Sequence, residues 1–134
     1  MIPSSEPKVP FKILEGKIFY KIEKSFNKKN PHNDFIEFHI NNNEYYIMFH
    51  EQVCCESVNI EDICGELDWL VNTPILLARE SISEDVYNQD GHQTWTFYEL
   101  STINGSVTIR WFGTSNGYYS ESVDLYHVKK DRYE

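Results

Sequence analysis

The chain has 134 residues, with 12 basic and 21 acidic side chains and a formal charge of -9. That length supports one domain around one core, and 40% hydrophobic with 15% aromatic content excludes a disordered or collagen-like chain. The charge repels phosphate and excludes general nucleic-acid binding.

Pro3, Pro7 and Pro10 make residues 1–14 an N-terminal arm, and residues 15–134 are expected to form a single domain. The start lacks the basic and apolar regions of a secretory signal. The longest aliphatic run, Ile75 to Ala78, falls far short of the ~20 residues of a membrane span. No membrane contact and a cytoplasmic location are therefore expected. Cys54, Cys55 and Cys64 are odd in number, two of them adjacent, and read as reduced thiols.

Ile18, Tyr20 and Ile22 alternate with Phe19, Lys21 and Glu23 as a first strand. Asp34 to Ile40 and Glu44 to His50 then flank a turn at Asn42-Asn43. The simplest register sets Ile36, Phe38 and Ile40 opposite Phe49, Ile47 and Tyr45 on one apolar face. From Asn59 the spacing of Ile60, Ile63, Cys64, Leu67, Leu70 and Val71 predicts an amphipathic helix ending before Pro74.

Ile75 to Ser81 reads as a buried strand, and Ser83 to Gln93 as a loop. Thr94 to Leu100 and Ser106 to Phe112 form a hairpin through Asn104-Gly105, with Leu100 opposite Ile109, Tyr98 opposite Trp111 and Glu99 opposite Arg110. A last strand then pairs Trp111, Ile109 and Val107 with Val123, Leu125 and His127, through an odd loop or bulge between Gly113 and Ser120. The expected fold is α+β: a mostly antiparallel sheet of about seven strands, β-β-β-α-β-β-β-β, with one helix on a face.

Several residue groups carry chemistry. His50, Cys54 and Cys55 are metal-capable, but vicinal thiols lack zinc spacing and read better as small apolar groups, as does Cys64 on the helix stripe. A Cys54 or Cys55 nucleophile beside His50 is opposed by Glu51 and Glu56, which raise a thiol pKa. No catalytic residue and no cofactor are assigned. Arg110 is expected between Glu99 and Asp124 as a cross-strand ion triad. Trp95, Phe97 and Phe112 share its outer face as a candidate partner surface. Ser115, Asn116, Gly117, Tyr118 and Tyr119, with Arg110, form an alternative loop for a small ligand.

Residues 1–50, 51–100 and 101–134 sum to +1, -10 and 0, so the acidity is local. Glu61, Asp62, Glu66 and Asp68 are expected on one helix face that docks a basic partner.

The strings His50-Glu51-Gln52, Cys54-Cys55-Glu56-Ser57-Val58, Ile60-Glu61-Asp62-Ile63-Cys64-Gly65, Thr94-Trp95-Thr96-Phe97-Tyr98, Val107-Thr108-Ile109-Arg110-Trp111 and Ser115-Asn116-Gly117-Tyr118-Tyr119-Ser120-Glu121 carry a further signal. Across roughly residues 44 to 125 they resemble an uncharacterised small domain family common in bacteriophage genomes. That resemblance implies a non-enzymatic, stoichiometric inhibitor of a host or antiphage-defence protein. Sequestration of a small signalling nucleotide and a thiol- or metal-dependent hydrolase stand as alternatives.

Overall fold

A computed structural model describes residues 6–26, 34–52, 56–88, 91–115 and 121–130. These residues build two antiparallel sheets and no α-helix, which overturns the α+β expectation. The strands are β1 (Lys8–Val9), β2 (Lys21–Ser25), β3 (Phe35–Asn41), β4 (Glu44–Phe49), β5 (Ser57–Cys64), β6 (Leu77–Asn88), β7 (Gly91–Thr102), β8 (Gly105–Ser115) and β9 (Asp124–Lys129). Two 3₁₀ turns, Phe11–Leu14 and Leu67–Leu70, join them. One sheet runs β1-β9-β4-β3-β2, the other β5-β8-β7-β6.

One apolar core lies between the sheets. Ile36, Phe38, Tyr46, Met48 and Leu125 face Val58, Ile60, Tyr98, Leu100, Val107, Ile109 and Trp111 across it. Full burial of each such side chain contributes about 1.5–3 kcal/mol. Two polar ties set the spacing. The Trp111 indole N–H donates to Met48 Sδ at 3.1 Å, and the Ile60 N–H donates to buried Asp34 Oδ2 at 2.8 Å. Phe11 and Leu14 from the first 3₁₀ turn also enter this core, with Phe11 4.7 Å from Tyr98. Residues 8–14 of the arm therefore dock.

The predicted helix is strand β5 followed by the 3₁₀ turn Leu67–Leu70. A bulge caused the misreading: Ile60 pairs with Trp111, Asp62 with Arg110 and Ile63 with Ile109, so Glu61 is extra. The bulge converts the two-residue period of a strand into an Ile60-to-Ile63 spacing of three, which imitates a helix. Gly65 then turns the chain at φ 103°, where any side chain is strained, and Leu67 and Leu70 continue the false period.

A second bulge alters β3–β4. The turn at Asn42–Asn43 forms, with Asn41 opposite Glu44, but the register shifts between His39 and Asn41. Phe38 then faces Tyr46, and Ile36 faces Met48. The one-residue slip flips β4, sending Tyr46 and Met48 to the core and Ile47 to the outer face. There Ile47, Tyr126 and Val128 form a second buried cluster with Phe35, Tyr45 and Phe49.

The expected 83–93 loop is instead the far half of a long β6–β7 hairpin. In β7–β8 the turn is one position earlier than Asn104-Gly105, so Leu100 pairs with Val107, Tyr98 with Ile109 and Phe97 with Arg110. A slip of two leaves every face unchanged. The expected β8–β9 pairing is absent: β8 pairs with β5 and β7, whereas β9 pairs with β4 and β1 in the other sheet. Much of the expected bulged loop, 116–120, lies outside the described residues.

Candidate functional site

The predicted residues fall on two faces of the four-stranded sheet. On the outer face Trp95 lies 4.7 Å from Phe112 and 6.3 Å from Phe97, and the Arg110 guanidinium lies 5.6 Å from the Trp95 ring centre. The three aromatic residues do come together. The ion triad does not form: Arg110 donates from Nε to Asp62 Oδ1 at 2.6 Å and from Nη2 to Asp62 Oδ2. Glu99 pairs instead with Arg79 at 2.8 Å, and Asp124 with Lys8 at 3.4 Å. The Asp62 bonds hold the Arg110 pKa well above its ordinary value.

Because residues 59–71 form no α-helix, the expected acidic helix face does not exist. Glu61 sits in the β5 bulge, Asp62 is engaged by Arg110, Glu66 immediately precedes the 3₁₀ turn and Asp68 lies within it. This removes the basis for a partner docking on an acidic helix. The ligand loop is not one site either: Arg110 points to the outer face, whereas Ser115 is buried on the inner one. Asn116, Gly117, Tyr118 and Tyr119 lie outside the described residues, as do Cys54 and Cys55. Cys64 is exposed rather than core-facing. His50 is buried, its Nδ1 donating to the Ser122 carbonyl at 2.6 Å and its Nε2 3.4 Å from buried Glu56 Oε2. It anchors the residues that enter β9.

On the inner face a cleft of about 390 Å³, not among the sites expected from sequence, lies between the β6–β7 hairpin and residues 121–124. Glu80, His92, Thr94, Thr96, Glu121 and Asp124 line its polar walls, and Ile82 and Val123 its apolar ones. The Glu121 side chain keeps 7% of its surface exposed; Oε1 accepts from Ser115 Oγ at 3.0 Å and lies 3.9 Å from His92 Nδ1. Its Oε2 is buried with no hydrogen-bond partner among the described residues. The Tyr98 hydroxyl donates to the Val123 carbonyl at 3.1 Å, and burial, reinforced by Glu80, holds its pKa far above the usual range. Gly113 backs the cleft. A Cβ there would stand 3.0 Å from the Glu121 Cβ and 3.1 Å from Val58 Cγ2.

A signal for this cleft was present in the alternation. Leu100 and Tyr98 are followed on the same face by Thr96, Thr94 and His92, so the core-facing side turns polar where the hairpin outruns the opposite sheet.

Carboxylates and an imidazole also meet elsewhere. Among the described residues, the group whose ligand atoms converge within 4.8 Å is Glu23, Glu37 and His39, on β2 and β3. Lys21 lies 3.0 Å from Glu23, and this contact raises the lysine pKa and lowers that of the carboxylate. Among the described residues the cleft carboxylates do not converge in this way.

A family profile described as "Domain of unknown function (DUF7448)" matches residues 12–125. The chain belongs to this family. The match extends the resemblance from residue 44 back into the first 3₁₀ turn, and it carries no indication of a phage setting. No curated protein and no solved structure matches the chain. Among the described residues no helix is long and apolar enough to cross a membrane.

Proposed function

We propose that this domain is a binding module that takes an organic cation, an amine or guanidinium on an apolar stem, in the cleft beneath the β6–β7 hairpin. The observation that carries this reading is the Glu121 carboxylate, buried in the cleft wall with no donor to Oε2 among the described residues. A buried carboxylate oxygen without a donor is costly, and a donor carrying positive charge offsets that cost. Glu80 and Asp124 add to the negative field, although Lys8 partly compensates Asp124. Ile82 and Val123 suit an aliphatic stem.

The reading is tested by titrating lysine amide and arginine amide against the protein while following the Thr94 and Thr96 methyl resonances. Saturable shifts confined to the cleft support it. Glu121→Gln keeps an acceptor for Ser115 and removes the charge. It should weaken the amides about tenfold while raising the melting temperature of the free protein, because a buried carboxylate with one oxygen lacking a donor among the described residues is replaced by a neutral amide. A melting temperature that falls, with binding unchanged, assigns Glu121 a purely structural role and ends the proposal.

A further inference from the structure

The cleft lies along a sheet edge that is itself open. β6 is the terminal strand of its sheet and runs through twelve residues, Leu77–Asn88. Its first part is covered: the Ala78 N–H points away from β7 and donates to Glu15 Oε2 at 3.1 Å. Strand alternation then turns the N–H groups of Glu80 and Ile82 to that same outer side. Residues 79–83 are all exposed, including Ile82 at 57% on a face that elsewhere is core.

We infer that an extended polypeptide from another protein, bearing basic side chains at alternate positions, adds to β6 as a fifth strand and seats a basic side chain in the acid-lined cleft. The inference rests on the cation reading of that cleft and names its partner. An added strand lies about 4.8 Å beyond β6. Its inward-facing positions share the face of Glu80 and Ile82, and a lysine or arginine stem spans the width of one strand to reach Glu80 at the open side of the cleft. Main-chain bonds supply affinity in this mode, and the alternate side chains supply specificity.

Charge decides against a second copy of this chain as the added strand. By sequence, residues 77–88 hold three acids and one base, so a second copy would bring like net charge to this edge. A partner segment with alternating lysines meets the opposite field. Binding it the other way up would set those lysines beside Arg79, which fixes the orientation.

The experiment uses the intact protein and an acetylated, amidated eight-residue peptide of alternating valine and lysine, beside the same peptide N-methylated at alternate backbone nitrogens and beside lysine amide. The parent peptide is expected to bind on the order of a hundredfold more tightly than lysine amide. It should also slow amide hydrogen exchange at Glu80 and Ile82, and the peptide methylated on its β6-facing nitrogens should fall back to the affinity of lysine amide. If lysine amide binds but neither the extra affinity nor the protection appears, strand addition is overturned and the cation cleft stands. If no cationic probe binds, both are overturned. Protection at Glu80 and Ile82 that rises with protein concentration in the absence of peptide assigns the edge to self-association and overturns the inference.

Discussion

The two faces of the four-stranded sheet treat charge differently. On the outer face Arg110 is bonded through two nitrogens to Asp62 and lies over the Trp95 ring, so cation, anion and aromatic satisfy one another within the chain. On the inner face Glu121 is more deeply buried and has one oxygen without a donor among the described residues. The outer cluster is complete and the inner one is unfinished. Conspicuous side chains made the outer face the better candidate from sequence, yet the missing partner lies on the inner face, and a missing partner is what points to a ligand.

Four measurements break or sharpen this contrast. Trp95→Ala removes the ring that Arg110, Phe97 and Phe112 share. At a half-buried position it should cost about 2 kcal/mol in urea unfolding while leaving lysine amide affinity intact. A loss of binding would show that the faces are coupled. Glu121→Gln should have the opposite signature, with a more stable free protein and about tenfold weaker binding, near 1.4 kcal/mol.

Tyr98→Phe removes the hydroxyl bonded to Val123 and should cost about 1 kcal/mol at neutral pH. Its pH dependence has a definite sign. The folded-state pKa lies above the ordinary 10.0, so the stability it contributes is fully present below pH 10 and is lost as the pH rises toward the folded value. Tyr126, pushed up to about 12 chiefly by burial, adds to the same decline between those values. Stability followed through alkaline titration should therefore fall less steeply in the phenylalanine variant. Arg110→Lys gives the smallest effect: the pair is part-exposed, and loss of the two-pronged contact should cost under about 1 kcal/mol, shrinking further in salt.

What the sequence disclosed depended on parity. The β7–β8 turn was misplaced by one position, which slips the register by two and preserves faces, so Trp95, Phe97, Phe112 and Arg110 were assembled correctly with the wrong ion partner. The bulge near Ile40 slips the register by one, so β4 was inverted and Met48 and Ile47 exchanged sides. The bulge at Glu61 turned a strand into an apparent helix and took the acidic face with it. Bulges leave little trace in hydrophobic spacing, because they are defined by what lies opposite. The cleft went unseen for a related reason: Glu80, Glu121 and Asp124 come from segments that only the crossover between sheets brings together.

Gly113 carries none of this chemistry, yet it governs where the decisive carboxylate sits. A single methyl at this position presses on Glu121 from one side and Val58 from the other, so it should move the acid by a few tenths of an ångström without changing any charge. The position of the cleft carboxylate is thus adjustable from near the end of β8, by volume alone, through a residue outside the cleft lining.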